Sequence, residues 1–249
     1  MKGFILAAGL GTRLRPFTLQ NPKALVPVGG VPMLERVILR MKDEGITKII
    51  INIHHFGEKI IEFLKLNNNF GIDIKISDER DLLRDTGGAI LHAATLLSED
   101  DEPVLIHNVD ILSDAPLRSI GNDFTESNAD AALIVSSRNS SRQLIFTDSF
   151  RLCGWHNNKE GIYKPTDMTQ ERVERQNLQE RAFSGIHIIR PKSILAEMER
   201  QGRGEVFSII DFYLEACNKL KIIGTDCSNL SLIDIGKPDT LSQACRLFE

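Results

Sequence analysis

The sequence predicts an α/β protein in which a mixed, mostly parallel twisted sheet is flanked by helices. Short apolar runs rich in Ile, Val and Leu alternate with stretches of helical period. This alternation is typical of parallel strands joined by crossover helices. The 249 residues suffice for one domain with a full core. No repeat, low-complexity linker or composition break divides the chain, so we expect a single domain over residues 1–249.

The elements follow from hydrophobic periodicity. Leu34, Val37, Ile38 and Met41 have the i, i+3, i+4, i+7 spacing of an amphipathic helix, and Gly45 stands where that helix would end. Apolar runs that can be buried on both faces predict strands. The predicted strands are residues 3–7, 48–53, 72–76, 104–107, 131–135 and 182–189, and the other predicted helices are residues 58–66, 88–97, 207–218 and 238–248.

Residues 157–181 differ from the rest, because they are rich in Asn, Gln, Glu, Lys and Arg and poor in large apolar side chains. We expect a polar insertion here, either a solvated loop or a helical excursion. A lid that covers a substrate is the less favoured alternative.

Composition excludes several classes of protein. The net charge of −4 gives no general electrostatic footprint for nucleic acid or an anionic membrane. No run approaches the roughly 18 apolar residues of a membrane span, and residues 3–10 lack the cleavage pattern of a signal peptide. Four cysteines lie far apart without a C-x-x-C pair, which favours a reducing compartment. We expect a cytoplasmic protein without nucleic-acid or membrane partners.

A glycine-rich loop follows the first predicted strand, and glycine lets the backbone approach a phosphate closely. The dinucleotide pattern G-x-G-x-x-G fails at Leu14, and no G-x-x-x-x-G-K-[ST] loop exists. Arg13, Arg15 and Lys23 lie in or just after the loop and supply the cations that a triphosphate needs. The segment therefore predicts a polyphosphate site.

The same segment resembles the signature of the sugar-1-phosphate nucleotidyltransferases. The resemblance is carried by Gly-Leu-Gly-Thr-Arg-Leu-Arg-Pro-Phe-Thr at residues 9–18, by Pro-Lys-Ala-Leu-Val-Pro-Val at residues 22–28, and by residues 30–32. Residues 51–55, 85–89, 108–110 and 234–238 extend it over nearly the whole chain. The sequence looks most like short bacterial members, above all the N-acetylmuramate-1-phosphate uridylyltransferases, with mannose-1-phosphate and heptose-1-phosphate guanylyltransferases close behind.

The resemblance implies a Rossmann-like, GT-A-like fold and an enzyme that joins an NTP to a sugar 1-phosphate. A phosphate oxygen of the sugar attacks the α-phosphorus, and pyrophosphate leaves. Such transfer depends on positioning and charge neutralisation. Arg13, Lys23 and Asp110 are implied as catalytic, with Arg13 on the β and γ phosphates and Lys23 near the α-phosphate. The implied nucleotide-binding residues are Ala7, Ala8, Gly9, Gly11, Thr12, Arg13, Lys23, Asn52, His54, Gly87 and Gly88.

For some of these residues a structural role is an open alternative. Asn52 and His54 share one face of the second strand because strand side chains alternate, and they could be a buried polar pair. Gly87 and Gly88 could simply form a tight entry into a helix.

The resemblance also implies a magnesium site at Asp110 and Asp234. Each follows an apolar stretch, where the crevice of an open α/β sheet would lie, and Mg²⁺ prefers hard oxygen ligands. Their meeting is implied by the family and not by their spacing.

On the sugar side the implied residues are Asn108, Gly185 and Glu205. Lys159 and Lys164 are candidates to hold the sugar phosphate. For Asp211 and Trp155 we favour structural roles.

Val109 departs from the family pattern, which has glycine before the metal-binding aspartate.

The sequence does not determine which base or which sugar the protein uses. We favour UTP with N-acetylmuramate 1-phosphate or a related hexose 1-phosphate. The alternatives are a mannose- or heptose-1-phosphate guanylyltransferase that uses GTP, a phosphocholine-type cytidylyltransferase, and a silent homologue that binds nucleotide sugars. We expect a monomer or small homo-oligomer.

Overall fold

The computed structural model describes residues 1–236 and 238–248. Lys237, which belongs to the motif at residues 234–238, lies outside the described residues, as do Glu249 and the side chains of Leu247 and Phe248. The strands are β1 (Lys2–Leu6), β2 (Pro27–Val28), β3 (Val31–Pro32), β4 (Lys48–Ile53), β5 (Asp73–Asp78), β6 (Val104–Asn108), β7 (Ile111–Ser113), β8 (Ala131–Ser136), β9 (Arg142–Phe146), β10 (Leu152–Asn157), β11 (Ile162–Lys164), β12 (Gln179–Ile189), β13 (Ile222–Asp226) and β14 (Leu232–Asp234). The helices are α1 (Met33–Asp43), α2 (Gly57–Leu66), α3 (Asp85–His92), α4 (Ala94–Leu97), α5 (Leu117–Glu126), α6 (Gln170–Arg175), α7 (Pro191–Arg200), α8 (Ile209–Ala216) and α9 (Pro238–Phe248).

A mixed sheet forms the centre of the fold. In the described part of the chain it has ten strands, and its main path is β11-β10-β9-β12-β6-β1-β4-β5. β5, β4, β1 and β6 are parallel to one another. β12 runs antiparallel to β6 and also pairs with β8, which pairs with β13. The predicted α/β class is confirmed, and all six predicted strands are present with ends displaced by no more than a few residues.

The core lies on both faces of the sheet. Ile5 and Ile51 pack into one apolar cluster with α1, whereas their neighbours Phe4 and Ile50 pack into a second cluster with α8. Adjacent residues of a strand point to opposite faces, so a strand between two layers of helices must be apolar throughout. Full burial of each such side chain contributes about 1.5–3 kcal/mol, which explains the Ile-rich runs of the sequence.

The helix predictions are confirmed in part. α1 contains the four periodic residues of the predicted helix and ends at Asp43, two residues before Gly45, whose φ is +83°. The prediction of one helix over residues 88–97 is wrong, since the chain forms α3 from Asp85 and then α4, with non-helical dihedrals at Ala93 between them. The helix predicted over residues 207–218 is α8, which begins only at Ile209. The Ser208 side chain caps that end by accepting a hydrogen bond from the Ile210 amide. The hydrophobic periodicity of the sequence did not lead to a prediction of α5 or α7.

The polar segment 157–181 contains more regular structure than a loop. β11 pairs antiparallel with β10, and α6 follows with the Thr169 hydroxyl accepting from the Arg172 amide at its start. The segment thus extends the sheet at one edge and includes a short exposed helix. Among the described residues, no helix is long and apolar enough to cross a membrane.

Candidate active site

The carboxyl ends of the parallel strands open on a cleft with two adjoining cavities. The loop cavity, of about 440 Å³, is lined by Ala8 and Gly9 of the loop after β1 and by residues at the ends of β4, β5 and β6. The hairpin cavity, of about 640 Å³, is lined by side chains of β9, β10 and β11 and by the start of α8. Both cavities are lined by Leu6, Asp85, Thr86 and Asn108.

The glycine-rich loop is shaped by Gly11. Its φ is +63°, and a Cβ there would stand 2.8 Å from the Lys23 Cβ and 2.9 Å from the Thr18 Cγ2. Only glycine tolerates both the backbone conformation and the close approach. The Thr18 hydroxyl donates to the Gly11 carbonyl at 2.8 Å. The loop therefore folds back on Lys23 and holds its side chain against the cleft.

Lys23 and Asp110 form an ion pair in the loop cavity. The Lys23 Nζ donates to Asp110 Oδ2, and both side chains are largely buried, with 13% and 14% of their surface exposed. Asp110 lies in the turn between β6 and β7, and Val109 before it is buried with its amide donating to the Leu6 carbonyl at 3.2 Å. The turn thus accepts valine where the family pattern has glycine.

Asp234 lies beside Asp110 because β14 pairs antiparallel with β7. Asp234 is opposite Ile111, and the Ile235 amide donates to the Asp110 carbonyl at 2.9 Å. A Cβ on Gly236 would stand 2.8 Å from Arg13 Nη2, 2.9 Å from Asp234 Oδ1 and 3.0 Å from Asp110 Oδ2. Two carboxylates and a guanidinium therefore surround one point that only glycine leaves open.

The two carboxylates suit a hard divalent cation. Asp234 Oδ1 accepts from the Gly236 amide at 2.8 Å, which fixes its orientation. Mg²⁺ takes one or two protein carboxylates together with phosphate oxygens and water. The described residues contain no cluster of three or more acidic, His or Cys side chains able to hold a metal. A cation at this point would complete its coordination with phosphate oxygens and water.

Asn52 connects the first loop with the end of β5. Its Oδ1 accepts from the Ala7 amide at 2.6 Å and the Ala8 amide at 3.3 Å, and its Nδ2 donates to Glu79 Oε1 at 2.9 Å. Asn52 lines the loop cavity, as its predicted nucleotide role requires. The backbone of Ala7 and Ala8 is held by this side chain.

Three other predicted nucleotide-binding residues have internal partners. His54 Nδ1 is hydrogen bonded to the Glu79 carbonyl at 2.7 Å. The amides of Gly87 and Gly88 donate to the Phe207 carbonyl at 2.9 and 3.3 Å, in the first turn of α3. None of the three is among the residues that line the loop cavity in the described structure. Thr12 and Arg13 form an exposed 3-10 turn after Gly11.

The loop cavity is also lined by Glu79, Asp85 and Thr86. None of them was predicted as a site residue, although Asp85 and Thr86 belong to the motif at residues 85–89. Glu79 follows β5 directly and is fully buried. The rule that ligands bind at the carboxyl ends of parallel strands could have found it, because it follows the predicted strand at residues 72–76 by only a few residues.

On the predicted sugar side, Asn108 and Gly185 are in contact, whereas Glu205 is not among the described residues that line either cavity. Gly185 has φ of +81°, and a Cβ there would stand 2.6 Å from the Asn108 Nδ2. Asn108 lines both cavities. The exposed Glu205 side chain instead lies 3.6 Å from Arg84, and its backbone carbonyl packs on Gly88.

Lys164 is the lysine candidate that reaches the hairpin cavity. Its Nζ donates to Asp211 Oδ1 at 2.8 Å and lies 5.4 Å from the centre of the Trp155 ring, and all three residues line the cavity. Lys159 is exposed and is not a lining residue of either cavity in the described structure. The structural interpretation of Asp211 and Trp155 is therefore incomplete, since both side chains face the cleft.

The fold is that of an α/β protein whose parallel strands end at a cleft lined by both cationic and acidic side chains. The family model described as nucleotidyl transferase matches residues 2–144, more than half of the chain. The chain therefore belongs to the nucleotidyl transferase family.

The curated relatives are named as nucleotidyltransferases, and their names give different substrates. The N-acetylmuramate alpha-1-phosphate uridylyltransferase of Caulobacter vibrioides is 27% identical over 252 residues, which cover 98% of this chain and 96% of that protein. The mannose-1-phosphate guanyltransferase of Kluyveromyces lactis is 35% identical over 139 residues, or 55% of this chain. The chain spans only 38% of the length of that relative. The solved structure of HddC from Yersinia pseudotuberculosis with GMP-PN has a TM-score of 0.73 at 22% identity, covering 100% of this chain and 99% of that one.

Proposed function

We propose that the protein transfers a nucleotidyl group from an NTP to a sugar 1-phosphate, giving a nucleotide sugar and pyrophosphate. One observation carries the proposal. Arg13, Asp110 and Asp234 surround the same point beside Gly236, and Lys23 is paired with Asp110. Two cations and two carboxylates beside a glycine-rich loop form the charge pattern that a triphosphate with a divalent cation requires.

The cations act on the phosphates. An oxygen of the sugar phosphate forms a bond to the α-phosphorus, while the bond from that phosphorus to the bridging oxygen of the β-phosphate breaks. Lys23 stabilises the charge on the α-phosphate, and Arg13 holds the β and γ phosphates as they leave together. Fixed positive charge aimed at developing negative charge is the largest contribution such a site makes.

Asp110 and Asp234 would hold Mg²⁺. When bound, the cation neutralises phosphate charge and orients the α-phosphate for attack. Lys23 pairs with Asp110 in the described structure, so the lysine must exchange this carboxylate for a phosphate when the nucleotide binds. Lys23 then leaves Asp110 free for the metal.

The sugar 1-phosphate would occupy the hairpin cavity. Asn108 is shared by the two cavities and so lies where the two substrates meet. Gly185 lets the backbone lie against Asn108. Lys164 can exchange Asp211 for the sugar phosphate, and the Trp155 face can pack on the apolar side of a sugar ring.

For the substrates we propose UTP with N-acetylmuramate 1-phosphate or a related hexose 1-phosphate. A relative named for this pair matches over 98% of the chain. GTP with mannose 1-phosphate is the second candidate, because the guanyltransferase is the more similar relative over the residues it matches, at 35% identity.

Incubation of UTP or GTP with a panel of sugar 1-phosphates tests the proposal. We expect pyrophosphate and nucleotide sugar in equal amounts. Lys23→Met and Asp110→Asn are expected to lower turnover by about a hundredfold or more, as loss of one charge-stabilising group does. Lys65→Met, on the exposed end of α2, is the control and keeps full activity. Unchanged turnover in both site variants would contradict the proposed roles of Lys23 and Asp110.

A further inference from the structure

One wall of the hairpin cavity is a single face of β9, β10 and β11. Arg142 is opposite Asn157 in the ladder between β9 and β10. Two residues along β10, Trp155 is opposite Leu144 on one side and Lys164 on the other. Alternate residues of a strand share a face, and all five of these residues line the cavity. The wall therefore presents Lys164 with Trp155 at one position along β10 and Arg142 with Asn157 at the next.

Arg142 carries a charge that the protein leaves unpaired. Its guanidinium makes no hydrogen bond or ion pair with any residue that the structure describes, and the residue is exposed. Lys164 differs, because Asp211 pairs with it at 2.8 Å. A guanidinium presents parallel N–H donors that match the two oxygens of a carboxylate. The Arg142 side chain is thus available to an anionic group of a ligand in the cavity.

Asn157 adds a buried donor beside Arg142. Only 6% of its surface is exposed, and its Oδ1 accepts from the Lys159 amide at 3.2 Å. Its Nδ2 has no hydrogen-bond partner among residues 1–236 and 238–248. Residues directly opposite each other in an antiparallel ladder have Cβ atoms about 5 Å apart. The Asn157 amide and the Arg142 guanidinium can therefore donate to the same group of a ligand.

Arg138 brings a second guanidinium to the same cavity. Its Nη2 donates to the Phe183 carbonyl at 2.9 Å, which fixes the side chain beside β12. The other N–H groups of this guanidinium have no partner in the described part of the chain. Two arginines without a carboxylate partner therefore line one cavity.

Acidic side chains limit how much negative charge the cavity can accept. Asp85, Glu160 and Asp211 line it together with the two arginines and Lys164. Three acids balance three cations, so the cavity is not a general site for polyanions. Beyond the phosphate assigned to Lys164, a single carboxylate fits this balance better than a second phosphate.

The spacing along β10 suits one sugar molecule. In the proposed function, Lys164 takes the sugar phosphate and Trp155 packs on the ring. Asn157 is two residues from Trp155, which is about 7 Å along an antiparallel strand. A ring substituent that points away from the anomeric phosphate would therefore reach Asn157 and Arg142.

We propose that Arg138, Arg142 and Asn157 bind a carboxylate of the sugar 1-phosphate, so that the protein selects acidic sugars over neutral hexoses. The proposal rests on the proposed function for the presence of a sugar 1-phosphate in the hairpin cavity. A site built to pair with a polar group rejects the analogue that lacks it. The assignment disfavours mannose 1-phosphate, which carries no carboxylate.

Calorimetric binding of matched sugar 1-phosphates, with Mg²⁺ and without NTP, tests the proposal. N-acetylmuramate 1-phosphate differs from N-acetylglucosamine 1-phosphate only by an ether arm that ends in a carboxylate. Glucuronate 1-phosphate differs from glucose 1-phosphate by a carboxylate attached to the ring. We expect the acidic member of at least one pair to bind at least about tenfold more tightly, the discrimination of one charge-assisted hydrogen bond. The pair that shows the preference identifies whether the carboxylate is on the arm or on the ring.

Arg142→Met should lower the affinity for the acidic sugar about tenfold and leave that for the neutral sugar unchanged. A merely structural role of Arg142 would weaken the binding of both sugars alike. Arg142→Lys keeps the charge without the planar guanidinium and should keep part of the preference. The matched control is Arg175→Met, the same change at an exposed residue of α6 that is not among the described residues lining either cavity. Its preference should equal that of the unmodified protein.

Equal affinities within both pairs, or no binding of any of the four sugars, overturns the proposal. An unchanged preference in a folded Arg142→Met variant also overturns it. If that variant fails to fold, Arg138→Met replaces it, and an unchanged preference there has the same consequence. Binding selective for the acidic sugar without pyrophosphate release supports the carboxylate site and overturns only the proposed activity. Pyrophosphate release at equal rates with acidic and neutral sugars overturns only the carboxylate site.

Discussion

At the scale of single residues, four charged side chains determine what the cleft can bind. The chain has a net charge of −4, yet Arg13 and Lys23 concentrate positive charge at one end of the parallel strands. Asp110 and Asp234 bring two carboxylates to the same place. Because the cations and acids are interleaved, the site suits an anion that arrives with a divalent cation better than a bare anion.

Gly236 keeps this arrangement open, so Gly236→Ala is a sensitive probe. The new methyl group would stand within 3.0 Å of Arg13, Asp234 and Asp110, which must move apart. A displacement of about 1 Å in a positioned site costs about a hundredfold in rate, and we expect a loss of this size in kcat. Pyrophosphate release measures it. Gly204→Ala, whose Cβ would have nothing within 4 Å, is the control, and equal losses in both variants would contradict the account.

His187 makes stability depend on pH. It is buried between the Phe183 and Tyr213 rings, neither ring nitrogen has a partner among the described residues, and burial lowers its pKa to about 3. The unfolded chain therefore binds the proton first, and stability is lost as pH falls below about 6.5. Between pH 7.5 and 5 we expect His187 to account for about 2 kcal/mol of the decrease in unfolding free energy.

Urea unfolding of the unmodified protein and of His187→Leu at the two pH values measures this contribution. The variant should lose less stability on acidification than the unmodified protein. His107 is also buried and has its pKa lowered to about 4, so it contributes a decrease in stability that remains in both proteins. An identical decrease in the two proteins would exclude His187 as a source of the pH dependence of stability.

At the scale of elements, the site depends on where strands end. The loop after β1, the side chain at the end of β4 and the turn after β6 could be predicted, because each follows a buried run with a recognisable motif. The meeting of Asp110 and Asp234 could not be derived from periodicity. It depends on the short ladder between β7 and β14, whose three-residue strands leave almost no pattern in the sequence.

α3 begins against the segment that contains Glu205 and Phe207. A Cβ on Gly88 would stand 2.1 Å from the Glu205 carbonyl oxygen. Alanine favours a helix over glycine by about 1 kcal/mol, but a contact with backbone this short forces the segment away. We expect Gly88→Ala to be destabilising by about 1–3 kcal/mol. Thermal unfolding beside Gly204→Ala measures the effect, and a stabilised Gly88→Ala variant would contradict this packing.

At the scale of the whole molecule, the buried strands at the centre of the sheet were the predictable ones. β1, β4 and β6 lie between two apolar layers, so their sequences are almost continuously apolar. β9, β10 and β11 form an antiparallel edge with exposed residues. None of the three was predicted as a strand, and only β11 lies wholly within the polar segment 157–181. The hairpin cavity is lined by Trp155 of that edge and by Asp211 of α8, and hydrophobic periodicity does not show that these two residues share a cavity. The single domain over residues 1–249 stays a prediction.

The two adjoining cavities lead to the central proposal, that the reaction occurs at the α-phosphorus of a nucleotide in one cavity, which a sugar phosphate in the other cavity attacks. Parallel reactions with NTP labelled at the α-phosphate and at the γ-phosphate test it directly, with a sugar 1-phosphate as acceptor. We predict that the α label appears in the nucleotide sugar and the γ label in pyrophosphate. The γ label on the sugar, or in free phosphate with no labelled nucleotide sugar, would contradict the account.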